Sequence, residues 1–116
     1  MTGTDEIWPE ELDAVIASSK HHKLLFENEF VRVLEVRILP GETTDVHTHQ
    51  WPGTVYIKSW SDFVRRDDKG NILLESKNVI VPESKAYWVE SLGPHSLENI
   101  GENEICNICV EIKKTV

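Results

Sequence analysis

The sequence predicts an all-β fold, an antiparallel sandwich or barrel with one short helix in front of it. Three observations predict it. From residue 24 onward, apolar and polar residues alternate with a period of two. The alternating runs are short and are separated at regular intervals by Pro, Gly, Asn and Asp. The chain has 116 residues, 40% of them hydrophobic and 28% charged. That is the size of one ordinary domain, able to bury roughly two thirds of the surface it exposes when unfolded, so its core needs no disulfide or metal staple.

The first element is a helix predicted over 8–19. Pro9 suits a first helical turn, Glu10, Glu11 and Asp13 suit its positive end, and Leu12, Val15 and Ile16 share one face. It is read as part of an arm over 1–23 packed on a single β-domain over 24–116. Strands follow at 24–26, 30–39, 44–49, 54–60, 62–66, 72–76, 86–89, 95–100 and 104–113. Turns fall at Pro40-Gly41, at 67–71 and at 101–103. In the second strand Val31 and Val33 share one parity and Leu34, Val36 and Ile38 the other, which requires a bulge near Val33 or burial on both faces. In the last strand, Cys106, Ile108, Val110 and Ile112 are expected to face the core, with Asn107, Cys109 and Glu111 opposite.

The composition excludes several function classes. A net charge of −8, with no basic run longer than Arg65-Arg66 or Lys113-Lys114, leaves no stripe that could track a phosphate backbone, so nucleic acid is not expected as a partner. No apolar stretch approaches the ~18 residues of a membrane span, and the N-terminal MTGTDEIWPEE is unlike a signal peptide. No membrane partner and a cytoplasmic location are expected; two cysteines suit a reducing compartment.

The chemistry concentrates in DVHTHQWPGT, residues 45–54. Residues i and i+2 of a strand share a face, so His47 and His49 present two imidazoles side by side, as two cis ligands of one metal would. On spacing alone, a solvent-facing pair is an equally good reading. His95, at the start of a remote strand, could supply a third ligand and tips the balance.

These residues resemble the cupin family. Gly41, five residues, His47, one residue and His49 look like the first cupin signature, and His95, three residues and Asn99 look like the end of the second. The resemblance spans roughly 26–113. It implies a double-stranded β-helix, a jelly-roll barrel with a divalent metal at its mouth, and it makes His47, His49 and His95 the metal ligands and Gly41 the turn glycine before them. Three imidazoles accept iron, nickel, zinc, manganese or copper. Cupins usually place a glutamate ligand four or five residues after the second histidine; here Gly53 and Thr54 stand there, and the glycine of the second signature is shifted by one. The arrangement left resembles the three-histidine, non-haem-iron cupins that oxidise thiols or cleave diketones.

Other residues carry weaker signals. Tyr56 is a candidate catalytic residue, and Gln50, Tyr56 and Trp88 are candidate substrate-binding residues. Arg32 or Arg37 could hold a substrate carboxylate if either points inward. Glu98 is off-phase from His95 and reads as solvated. Cys106-Asn107-Ile108-Cys109 spells C-x-x-C, but i and i+3 lie on opposite faces of a strand, so it is not read as a redox pair. His21-His22 is assigned no metal. The leading expectation is a metal-dependent, dioxygenase-like enzyme acting on a small polar metabolite, the alternative a non-catalytic binding or sensing cupin. A homodimer is expected, with the strands over 30–39 and 104–113 as candidate edges.

Overall fold

The structure is a computed structural model describing residues 8–114. The start of the predicted arm, residues 1–7, and the last two residues of the β-domain lie outside the described residues. Among the described residues nine strands form: β1 (His22–Glu27), β2 (Val31–Ile38), β3 (His47–His49), β4 (Gly53–Ser59), β5 (Phe63–Asp67), β6 (Ile72–Glu75), β7 (Ala86–Val89), β8 (Leu92–Asn99) and β9 (Ile105–Ile112). Each falls on a strand read from the alternation. They build a five-stranded sheet in the order β1-β2-β9-β4-β7 and a four-stranded sheet in the order β3-β8-β5-β6, with every named pair antiparallel.

The sheets face each other but do not close, which corrects the expectation of a jelly-roll barrel. The strands at the four sheet edges, β1, β7, β3 and β6, pair on one side only. One cause is visible at β3, predicted over 44–49 but only three residues long. The Leu97 N–H goes to the Thr44 hydroxyl at 2.9 Å, and the ladder with β8 is reduced there to an isolated Thr43–Glu98 bridge. A side chain that captures a ladder N–H competes with regular pairing.

The long N-terminal helix also gives way. Residues Glu10–Leu12 form a 3-10 turn and α1 (Ala14–Ala17) a single helical turn, divided at Asp13, whose ψ of 141° is extended. Asp13 caps the Val15 N–H at 3.3 Å and holds Arg32 of β2 through both carboxylate oxygens, at 2.8 and 2.9 Å. That ion pair fixes Asp13 in a conformation no continuous helix has.

Strand register corrects two further expectations. β2 and β9 are interior strands, paired along their whole lengths, so neither is an edge available for dimer pairing. β9 also faces the other way from the parity expected of Cys106, Ile108, Val110 and Ile112. Ile105 is in the core, and Asn107, Cys109 and Glu111, of the same parity, line the space between the sheets. The apolar set misled because the inner surface is polar at the site. β2 is unbroken against β9, and its apolar residues serve both faces; the bulge lies in β1, between Leu24 and Phe26.

The apolar core is concentrated around Ile38, Phe63 and Ile105, each worth about 1.5–3 kcal/mol on burial. Asn99 closes this end without any exposure. Its amide donates to the carbonyls of Ile38 and Asn103 at 2.9 and 2.8 Å, and its oxygen accepts from the Gly101 N–H at 3.0 Å. The rest of the space between the sheets is a cavity of about 100 Å³.

Candidate metal centre

Four histidines meet at this cavity. His47 and His95 are directly opposite across the β3–β8 pair, with ring centroids 4.4 Å apart. His49, two residues along β3, lies 5.0 Å from His47 and 5.6 Å from His95. The fourth is His22, to which the sequence assigns no metal. It opens β1 in the opposite sheet, and its ring stands 4.5 Å from that of His47 and 5.4 Å from that of His49. The ligand atoms of His22, His47 and His49 lie within 4.8 Å of one another, a group able to hold a metal ion; His95, expected from the sequence as the third ligand, is not in that group, although its ring lies beside His47. His21, of opposite parity, is buried elsewhere, 3.4 Å from Glu42.

Each ring is anchored by the same atom. Nδ1 of His22 meets the Ser18 carbonyl at 3.0 Å, that of His47 the Asp45 carbonyl at 2.7 Å, that of His95 the Gly93 carbonyl at 2.7 Å, and that of His49 the Glu111 carboxylate at 2.8 Å. Carbonyl and carboxylate oxygens only accept, so Nδ1 carries the proton in all four rings and Nε2 keeps its lone pair. Burial, reinforced by the charges of neighbouring histidines, pushes His22 and His95 down to about 2; burial and His49 push His47 down to about 4. These three imidazoles are therefore neutral at pH 7, the form that binds metal.

Glu111 is the hinge of a second layer. One carboxylate oxygen takes the His49 N–H, and the other accepts from Arg32 Nε at 2.7 Å. Arg32 continues to Asp13, and the Trp51 ring lies over its guanidinium at 4.9 Å. Burial opposes the charge of Arg32, but Asp13 and Glu111 outweigh it and raise its pKa above the ordinary value. Arg32 thus points inward, as one reading allowed, but both its carboxylate partners come from the chain itself.

The fold has counterparts among solved structures. A cupin domain from Bordetella pertussis superposes with a TM-score of 0.62 at 22% identity, over 80% of this chain and 92% of that one. An RmlC-like cupin family protein with a double-stranded β-helix fold from Methanocaldococcus jannaschii gives 0.54 at 13% identity, over 78% and 77%. The polyketide cyclase RemF from Streptomyces resistomycificus gives 0.54 at 15% identity, over 96% and 80%.

The fold is that of the RmlC-like cupins.

At these identities the likeness is one of fold. No family model and no curated protein matches the chain.

The cupin comparison sharpens the question of the missing glutamate. Gly41 has a φ of +83°, the left-handed turn its position in the first signature implies. Gly53 has no room for a side chain at all: a Cβ built there would stand 1.9 Å from the Val110 carbonyl oxygen. Directly across from it in the β4–β9 register is Glu111. A carboxylate does reach this region of the cupin fold, then, but from β9, and it binds the back of His49 rather than the cluster's centre.

The remaining candidates fall outside the cavity. Tyr56 and Trp88 are each 49% exposed on the outer face of the large sheet, and Gln50 is exposed after β3. The inward parity of β4 runs Gly53, Val55, Ile57, which turns Tyr56 out. Tyr87, on the opposite parity from Trp88, lines the cavity instead. Arg37 is exposed and paired with Glu35 and Glu104, and Glu98 is paired with Arg66 at 2.8 Å. Both cysteines are free thiols. Burial, with Glu111 nearby, pushes Cys109 up to about 12, so at neutral pH it is neither a thiolate nucleophile nor a ready metal ligand.

Proposed function

We propose that the chain binds one divalent transition-metal ion through Nε2 of His22, His47, His49 and His95, and that it is a metal-dependent enzyme acting on a small polar metabolite in the adjoining cavity. The observation that carries this is the common anchoring of Nδ1: four rings with four different acceptors all leave Nε2 as the free nitrogen. The donors are chemically suited to the ion, because neutral imidazoles bind iron, nickel, zinc, manganese and copper alike.

Such an ion would supply Lewis acidity or oxygen chemistry, as in the three-histidine cupins that this sequence resembles. The chain's own part is to hold geometry and exclude water. Ser18, Asp45, Gly93 and Glu111 fix the rings, while Val36, Val55 and Leu97 contribute an apolar wall. The Tyr87 hydroxyl, kept protonated by burial, is available as a hydrogen-bond donor to a bound molecule. A non-catalytic binding role is favoured by a separate observation. Glu111, a carboxylate that lines the cavity, has both oxygens engaged by Arg32 and His49, which takes it out of proton transfer.

Metal analysis of the purified chain, with parallel His22→Ala and His95→Ala variants, tests the centre. One ion per chain and a clear loss in both variants are expected. Full occupancy in His22→Ala would remove His22 from the ligand set, and no stoichiometric metal under any supply would end the proposal. Oxygen uptake by iron-loaded protein with thiols, diketones and small acids then separates enzyme from binder.

A further inference from the structure

The cavity holds one cation that the metal centre does not use. Arg65 lies on β5 directly across from Leu97, the next inward residue after His95 on β8, and its side chain lines the same cavity. Such diagonal strand neighbours are about 7–8 Å apart, within reach of a long side chain.

Its surroundings are unlike those of the other arginines. Arg32 is paired with Asp13 and Glu111, Arg37 with Glu35 and Glu104, and Arg66 with Glu98. Among the described residues no carboxylate pairs with Arg65, and its Nε is sealed from solvent with no hydrogen-bond acceptor. Burial pulls its pKa below the ordinary value, and no carboxylate offsets the effect. A guanidinium nevertheless stays charged at neutral pH. Arg65 is half-buried, and a guanidinium drawn partly out of water with no carboxylate beside it is stabilised by an anion from outside the fold.

We infer that Arg65 is a binding residue for the carboxylate of a small ligand, whose neighbouring oxygen reaches the histidine cluster. The planar fork of arginine matches a carboxylate through two parallel N–H···O bonds. Of the two cavity carboxylates, Glu111 has both oxygens taken by Arg32 and His49, and Glu90, bonded to the Trp88 indole, makes no ion pair with Arg65. The cavity's volume of about 100 Å³ restricts the ligand to a small acid. The inference rests on the metal-centre reading for the ligand's second contact; capture of the carboxylate itself does not.

Glycolate, its uncharged analogue glycolamide and inorganic phosphate serve as probes, titrated by NMR into metal-free and zinc-loaded chain. Glycolate is expected to bind in both forms, more tightly with zinc, and glycolamide about 10- to 100-fold more weakly, the range of a lost charge-assisted hydrogen bond. Arg65→Met should lose glycolate affinity by a similar factor while keeping wild-type metal content. Arg65→Lys, which keeps the charge without the fork, should fall between. Equal binding of glycolate and glycolamide by the wild type would overturn the inference whatever the variants do, and so would unchanged glycolate affinity in a folded Arg65→Met. Tighter binding of phosphate than of glycolate would overturn the carboxylate assignment. A chain that holds no stoichiometric metal under any supply yet binds glycolate through Arg65 would sink the metal centre and uphold the carboxylate capture.

Discussion

Replacing Glu111 with Gln leaves shape almost unchanged and removes one acceptor. In the wild type each carboxylate oxygen accepts from a different donor, His49 Nδ1 at 2.8 Å and Arg32 Nε at 2.7 Å. An amide offers one oxygen and one NH₂, so one of those buried N–H groups must face another donor. Leaving a buried donor unsatisfied costs about 1–3 kcal/mol. Removing one partner of a buried ion pair costs about 3–5 kcal/mol when the other charge is stranded, but Arg32 keeps Asp13, which places the total near 2–4 kcal/mol. At this chain length 1 kcal/mol moves the thermal midpoint by about 4 °C, so a fall of about 8–16 °C is expected by calorimetry. If His49 is a metal ligand, losing the group that orients it should also weaken metal affinity by about 10- to 100-fold. A Glu111→Gln protein that melts within about 2 °C of the wild type would show that the Arg32–Glu111–His49 chain carries no stability, and unchanged metal affinity that it does not orient His49.

Two further predictions concern the strands and the histidines. Gly53→Ala forces a methyl against the Val110 carbonyl oxygen, carbonyl carbon and the Glu111 Cα at 1.9, 2.8 and 2.9 Å, all backbone atoms that cannot yield without parting β4 from β9. Denaturant unfolding should show a loss of about 3 kcal/mol or more, against about 0.5 kcal/mol for Thr54→Ala on the exposed parity next to it, and a mild Gly53→Ala would contradict the register. In metal-free protein, His22, His47 and His95 have folded pKa values below the 6.5 of the unfolded chain. The unfolded state therefore takes up more protons as the pH falls below 6.5, and stability present above that value is lost on acidification, through about 4 for His47 and about 2 for the others. Each histidine contributes up to about 1.4 kcal/mol per pH unit in its window. Thermal melts from pH 7 to pH 5 should fall steeply, and His22→Ala should flatten the profile.

The strand count was legible because alternation and turn residues are local. The helix over 8–19 was not, because Asp13 obeys an ion pair with Arg32, distant in sequence, rather than its neighbours. β9 was read inside out for a related reason: hydrophobic parity identifies the core face only where that face is apolar, and here it carries Asn107, Cys109 and Glu111 toward the cavity. His22 offered no motif, since its partners sit in another sheet and its own neighbour, His21, points elsewhere.

By itself the sequence determined the nine strands, the turn at Gly41 and the pairing of His47 with His49 on one face, all consequences of side-chain period and backbone conformation within a few residues. Only the tertiary structure decided that the sheets stay open, that His22 joins His95 at the same cavity, that no side chain fits at position 53, and that Arg65 is left without a carboxylate. Those outcomes depend on which strands become neighbours and in what register, and that is settled by contacts between residues far apart in the chain.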